Sequence, residues 1–172
     1  MRPITPIDEF EQACIKAQLS SKEQKIIDHI RYVGVFTQPS LTKDLKLSSK
    51  PPILSTLCDI CRKIGKYMPE HFINVRKWSK EINEHDVKWD GDLICSLAWN
   101  KDGERLSPEN GTCLYHTFAV HKELFQGLDW FMKIIYIINL DLNTQTIHYW
   151  NPIPQLNIQE SNYQIQSEIE KF

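Results

Sequence analysis

Residues 41–65, LTKDLKLSSKPPILSTLCDICRKIG, hold two apolar-periodic segments that are separated by a polar break at residues 46–48. In the second segment, apolar side chains recur every three or four residues, which is the spacing of one face of an α-helix. These side chains are Ile53, Leu54, Leu57, Cys61 and Ile64. The prolines at residues 51–52 suit a first helical turn, because the amides there lack intrahelical partners anyway. The stretch therefore predicts a short helix, a tight turn and a longer helix that ends at Gly65.

The segment before this stretch carries helix signals of its own. Ser20 and Glu23 have the spacing of a capping box, and Gly34 is a natural stop for the helix that follows them. The Val-Phe dipeptide after Gly34 suits a short strand. Thr37 or Ser40 would then cap the short helix.

The predicted order over residues 20–65, a helix, a short helix, a tight turn and a longer helix, resembles the helix-turn-helix core of winged-helix DNA-binding proteins. The resemblance implies that the longer helix enters the major groove of DNA, which is wide enough for an α-helix. It also implies a wing or a further helix downstream. The apolar spacing within residues 66–82 favours a helix there.

Charge is divided unevenly along the chain, although the net charge is only −2. Residues 22–80 carry twelve Lys or Arg and five Asp or Glu, a net charge of +7. Residues 81–172 carry six Lys or Arg and fourteen Asp or Glu, a net charge of −8. Such asymmetry is typical of a nucleic-acid-binding segment joined to another part. We therefore expect double-stranded DNA as the partner of the basic segment, and a homodimer contact or a protein partner for the acidic one.

The DNA interpretation assigns roles to polar side chains on and around the longer helix. Base contacts concentrate at the N-terminal end of a recognition helix, which here offers Lys50, Ser55 and Thr56. Cations around that helix would hold phosphates, which adds affinity without sequence information. The other candidates are Lys43, Lys46, Arg62, Lys63, Lys66, Arg76 and Lys77. We expect replacement of residues 62, 63 and 66 together by Ala to abolish duplex binding and leave the melting temperature nearly unchanged.

The second half of the chain is strand-like. Its strand candidates are rich in β-branched and aromatic residues and are separated by turn signals. They are residues 93–99, 112–121, 131–142 and 146–153. We therefore predict an α+β protein, with a helical helix-turn-helix domain at residues 1–84 and an antiparallel β-rich domain with a polar C-terminal tail at residues 85–172.

Two pairs of residues raise the alternative of a zinc site. Cys58 and Cys61, together with Cys113 and His116, would supply the sulfur and nitrogen ligands that suit tetrahedral zinc. However, Cys58 and Cys61 lie one helical turn apart beside the apolar stripe, and cysteine is a common core residue. We therefore expect core cysteines and predict no metal or other cofactor.

Two other functions remain open from the sequence. The helical unit and the acidic sheet would instead bind a protein partner, as an interaction module or an inhibitor. A small metal-dependent enzyme would use His116, His121 and nearby acids. No phosphate-binding glycine loop and no GxSxG motif occurs, so the sequence gives no positive argument for catalysis.

The chain shows no signal of export or membrane insertion. Its start turns acidic at once, which argues against a secretory signal. Its most apolar run, residues 131–140, is far shorter than the roughly 20 residues that a membrane span needs. Five cysteines, an odd number, fit a reducing compartment. We therefore expect a cytoplasmic protein with no membrane partner, or a nuclear one if the source is eukaryotic.

Overall fold

A computed structural model describes residues 1–82, 89–100, 102, 104–127 and 148–149, with the backbone alone of residues 99, 100, 110, 148 and 149. Within these residues the chain is an α+β protein, as the sequence predicts, with five α-helices and a small three-stranded antiparallel sheet. The helices are α1 (Ile7–Lys16), α2 (Ser21–Val33), α3 (Gln38–Asp44), α4 (Ile53–Gly65) and α5 (Pro69–Ile82). None of these described helices has the length and apolar character to cross a membrane.

Local capping fixes the ends of α2 and α3. The Ser20 side chain accepts a hydrogen bond from the backbone N–H of Glu23 at 3.2 Å, and the Glu23 carboxylate accepts one from the Ser20 N–H at 2.8 Å. This confirms the predicted capping box, and Gly34 ends α2 as predicted. Thr37 caps α3, and Thr37 and Ser40 each accept from the other's backbone N–H.

Helix α4 packs against α1, α3, α5 and a short 3-10 helix at Asp90–Leu93. The predicted apolar stripe is buried along α4. Its fully or nearly fully buried members are Ile53, Leu57, Cys61 and Ile64. The helix begins later than predicted, because Pro52 is its N-cap and both prolines precede the first turn. A residue that precedes a proline is disfavoured in the α conformation, which favours a helix start after Pro51.

The three-stranded sheet joins the two halves of the chain. Its strands are β1 (Val35–Thr37), β2 (Cys95–Leu97) and β4 (Thr117–Val120). Strand β4 lies in the middle and pairs antiparallel with both neighbours. Phe36 of β1 lies opposite Phe118 of β4, and their rings stack with centroids 5.5 Å apart. A separate pair is formed by β3 (Trp99–Asn100) and β5 (His148–Tyr149).

The strands are shorter than the sequence predicts. Of residues 112–121, only Thr117–Val120 form a strand, because residues 112–116 turn before they reach the sheet. Of residues 93–99, the first belongs to the 3-10 helix, Cys95–Leu97 form β2, and Trp99 begins β3. The predicted strand at 131–142 and most of the one at 146–153 lie outside the described residues.

One hydrophobic core runs through the described part of both halves, from Phe10 in α1 to Leu124 beyond β4. Buried Arg31 of α2 adds a polar link. Its Nε donates to the Leu124 carbonyl at 2.8 Å, and its Nη2 donates to the Glu11 carboxylate at 2.7 Å. The predicted boundary between residues 84 and 85 therefore does not separate two cores among the residues that the structure describes.

Gly34 closes α2 against the ring of Phe125. Its φ of +77° suits few L side chains, and a Cβ built there would lie 2.2 Å from a ring carbon of Phe125. We expect Gly34→Ala to lower the free energy of unfolding by about 2 kcal/mol, through backbone strain of roughly 1–2 kcal/mol and displacement of the ring. Urea denaturation measures the change.

Gly111 provides the matched control, because its φ is +72° and a Cβ there meets nothing within 4 Å. We expect Gly111→Ala to cost about 1 kcal/mol, from backbone strain alone. Equal losses in the two variants would contradict a role for the Phe125 contact.

Candidate nucleic-acid interface

The outer face of α4 is exposed, as the DNA interpretation requires. Ser55, Arg62 and Lys63 are exposed, and Thr56 is partly exposed. Lys66 follows as the exposed C-cap of the helix. Whether these cations are available to a ligand depends on the ion pairs that they make within the protein.

Arg62 and Arg76 share one buried carboxylate. Arg62 Nε donates to Asp90 Oδ2 at 2.7 Å, and Arg76 donates from Nε and Nη2 to the two Asp90 oxygens at 2.9 and 3.1 Å. Burial alone would raise the pKa of Asp90, but the hydrogen bonds from Arg76 and Arg62 outweigh it and lower the pKa. Arg62 also donates to Asp59 at 2.6 Å, and the Arg76 guanidinium lies 4.2 Å from the centroid of the Phe72 ring. Both guanidinium groups are therefore engaged by the protein's own side chains.

Lys63 is paired as well. Its Nζ donates to Glu23 Oε1 at 2.6 Å, and this bond lowers the pKa of Glu23. The sequence did not indicate that Arg62, Lys63 and Arg76 make intramolecular ion pairs. It also led to the expectation of an unchanged melting temperature after replacement of residues 62, 63 and 66, which we correct here. Loss of Arg62 removes a partner of a buried carboxylate, so that variant is expected to be less stable.

The remaining cationic candidates make no ion pair with any residue that the structure describes. They are Lys43, Lys46, Lys50, Lys66 and Lys77, and all five are exposed. The first three lie between the last turn of α3 and the start of α4. Residues 38–58 contain three lysines and one acid, Asp44, which gives this segment a net charge of +2. The Asp44 carboxylate lies 3.2 Å from His29 Nε2 on α2.

Lys43 and Lys46 line an open groove of about 720 Å³ between α3, the start of α4 and the β3–β4 connection, which we call the α3–α4 groove. Gln38, Thr42 and Ser49 complete the polar part of its lining. The Thr42 hydroxyl donates to the Gln38 carbonyl at 2.8 Å, so it is held within the helix. The groove therefore combines two cations with neutral hydrogen-bonding groups.

The apolar part of the lining comes from Pro39, Leu47, Ile53 and Tyr115. Ile53 is buried, whereas Tyr115 is half-exposed beside the more exposed Leu114. Sequence reasoning missed Tyr115 as a site residue, because it comes from the β3–β4 connection and no local pattern links it to α3. The groove thus offers an aromatic ring and aliphatic surface beside its lysines.

The two pairs of the zinc alternative lie in different surroundings. Cys58 and Cys61 face the core, and burial raises the pKa of both thiols. Cys113 is only partly buried, and His116 Nε2 lies 2.8 Å from a carboxylate oxygen of Glu109. In the described part of the chain, no three His, Cys, Asp or Glu side chains lie together in a way that would hold a metal ion.

His121, which the enzyme alternative would use, is buried in a polar cluster. Its Nε2 lies 2.5 Å from the backbone carbonyl of Asp92, and burial lowers the pKa of His121 to about 3. The Asp92 carboxylate accepts hydrogen bonds from Ser79 and Ser96, and burial raises its pKa to about 6. Both groups are less than a tenth exposed, so the cluster is suited to holding β2 and α5 together and not to meeting a substrate.

No family model, no curated protein and no solved structure matches this chain. The chemistry of the α3–α4 groove and of the exposed first turn of α4 is therefore the basis for assigning a function.

Proposed function

We propose that the protein binds double-stranded DNA through the α3–α4 groove and the first turn of α4, as a transcriptional regulator or an accessory subunit of a DNA-acting complex. One observation carries the proposal. Lys43, Lys46 and Lys50 are exposed and make no ion pair with any described residue, and Ser55 and Thr56 follow them in the first turns of α4. Cations suited to phosphates and hydroxyls suited to base edges thus follow one another along a short stretch of chain.

The winged-helix resemblance gives this arrangement its orientation. In a helix-turn-helix unit the second helix reads base edges with its N-terminal residues, while the first helix crosses the DNA backbone. Helix α4 would be the second helix, and α3 with its terminal Lys43 would cross the phosphates. The pairing of β1 with β4 ties the chain immediately before α3 to the sheet. Arg62, Lys63 and Arg76 contribute little in this proposal, because their charges are already paired.

Replacing Lys43, Lys46 and Lys50 together by Gln is expected to weaken duplex binding by about tenfold or more and to reduce the salt slope of log K by roughly 3. The reason is that each lysine on a phosphate releases a condensed counterion. Fluorescence anisotropy with a short mixed-sequence duplex at several salt concentrations measures both quantities.

The matched control replaces Lys16, Lys22 and Lys25 by Gln. These lysines of α1 and α2 are also exposed, so the control removes the same charge from another part of the surface. An equal loss of affinity in the two variants would indicate general electrostatic attraction and contradict the proposed interface. Absence of any duplex affinity, together with a stably co-purifying protein, would favour the interaction-module alternative.

We further propose a reducing compartment, the cytoplasm or a nucleus. All five cysteines are free thiols, which fits that environment. We propose that the acidic C-terminal half supplies a homodimer contact or binds a protein partner. Two half-sites multiply specificity for DNA readers of this kind.

A further inference from the structure

The apolar part of the α3–α4 groove has few groups to contact in a complex with an intact duplex. The outside of a duplex offers phosphates and base edges, while the flat faces of its bases are covered by stacking. Pro39, Leu47 and Tyr115 instead provide a surface for a flat apolar group. We propose that the groove binds an unpaired nucleotide at an end or gap of the DNA, its base stacked on Tyr115 and its phosphates beside Lys43 and Lys46. This inference rests on the DNA binding proposed above.

The backbone at Tyr115 is held while its ring is open. The Tyr115 carbonyl accepts hydrogen bonds from Cys113 Sγ at 2.8 Å and from the Thr117 hydroxyl at 3.2 Å. Thr117 begins the central strand β4, so its hydrogen bond anchors Tyr115, two residues earlier in the turn, to the sheet. Tyr115 is 50% exposed, and its hydroxyl makes no hydrogen bond with any described residue. A ring with only two side-chain torsions loses little entropy when it is covered by a base.

The size and charge of the groove fit the same occupant. A volume of about 720 Å³ lies within the range of small-molecule sites. Lys43 and Lys46 supply two positive charges, and the nearby Asp44 carboxylate is paired with His29. The Asp and Glu side chains of an acidic peptide would satisfy the lysines but have no flat aromatic face for Tyr115. A nucleotide offers phosphates to the lysines and a flat base to Tyr115. Stacking of a base on an aromatic side chain strengthens binding by roughly tenfold.

The test compares three DNA probes by fluorescence anisotropy with the full chain. One is a blunt duplex, one is the same duplex with a short single-stranded overhang, and one carries an abasic overhang that keeps the phosphates but lacks the bases. We expect the natural protein to bind the base-containing overhang about tenfold more tightly than the abasic one. We expect Tyr115→Ala to lower the affinity for the base-containing overhang to that of the abasic overhang.

Two variants and one spectroscopic signal sharpen the test. Tyr115→Phe keeps the ring and is expected to keep the preference. Tyr67→Ala removes a tyrosine of equal exposure at the turn between α4 and α5, and it is expected to have no effect. A 2-aminopurine base in the overhang should lose fluorescence on binding to the natural protein and retain it with Tyr115→Ala.

The outcomes separate this inference from the proposed function. Equal affinity for all three probes, or a preference that survives Tyr115→Ala, would overturn the inference and leave duplex binding intact. Binding of the overhang probe without blunt-duplex affinity would support the inference and contradict duplex recognition. A polyglutamate peptide that competes as well as the overhang would assign the groove to an acidic protein segment and overturn the inference. Absence of affinity for every probe would overturn both proposals.

Discussion

His121→Gln is expected to make folding more resistant to acid than it is in the natural protein, by roughly 3 kcal/mol between pH 7 and pH 4. Burial lowers the pKa of His121 from 6.5 to about 3 in the folded state. Between these values the unfolded chain binds a proton that the folded chain does not. The free energy of unfolding therefore falls as the pH decreases through this window, and removal of the imidazole abolishes that loss.

Asp92 acts in the opposite direction within the same cluster. Burial raises the pKa of its carboxyl from 3.8 to about 6, so the folded chain binds the extra proton between these values. Acidification from pH 7 to pH 4 therefore stabilises folding through Asp92 by roughly 2 kcal/mol. The contributions of His121 and Asp92 to the pH dependence of stability therefore largely offset each other in the natural protein. The two residues are in contact, because His121 Nε2 lies against the Asp92 carbonyl.

Urea denaturation of the natural protein, His121→Gln and Asp92→Asn between pH 7 and pH 4 separates the contributions of His121 and Asp92. His121→Gln should gain stability relative to the natural protein as the pH falls, and Asp92→Asn should lose it. Arg2, His71 and Glu123, whose charges also act on His121, are unchanged in both variants. If the free energy of unfolding depends on pH in the same way for the natural protein and His121→Gln, then His121 titrates alike in the folded and unfolded chains. That result would contradict the prediction.

Asp90→Ala is expected to lower the free energy of unfolding by about 3 kcal/mol, because three charge-assisted hydrogen bonds are lost together. Asp90 is 4% exposed and holds Arg62 of α4 and Arg76 of α5 beside the 3-10 helix. The two arginines are about half-exposed and regain water when Asp90 is removed. The expected loss therefore lies at the lower end of the cost of breaking a fully buried ion pair, which is about 3–5 kcal/mol.

Asp59 offers a matched control on the same arginine. Its carboxylate also accepts from Arg62, but it is 63% exposed on the surface of α4. We expect Asp59→Ala to change stability by less than about 0.5 kcal/mol, as is usual for exposed pairs. Comparable denaturation midpoints for Asp90→Ala and the natural protein would show that this buried carboxylate does not hold α4 and α5 together.

Most of the helical part follows from signals within a few residues of each other. The capping box of Ser20 and Glu23, the Thr37 cap and the stop at Gly34 are local hydrogen-bonding arrangements, so the sequence indicates them directly. The sheet was predicted less well. Residues 112–116 have strand-like composition but form a turn. The prediction was wrong there because composition does not reveal whether a neighbouring strand is present to pair with.

The candidate site divides in the same way. Exposure of Ser55, Arg62 and Lys63 could be predicted, since it follows from the helical period of the apolar stripe. The sequence by itself thus determined where α4 ends and which of its faces is buried, although not its first residue. The tertiary structure alone decided that Arg62 and Lys63 are paired, because their partners lie far along the chain: Asp90 is 28 residues from Arg62, and Glu23 is 40 residues from Lys63. It also brought Tyr115 beside α3, since such contacts depend on how the elements pack and not on any repeat within them.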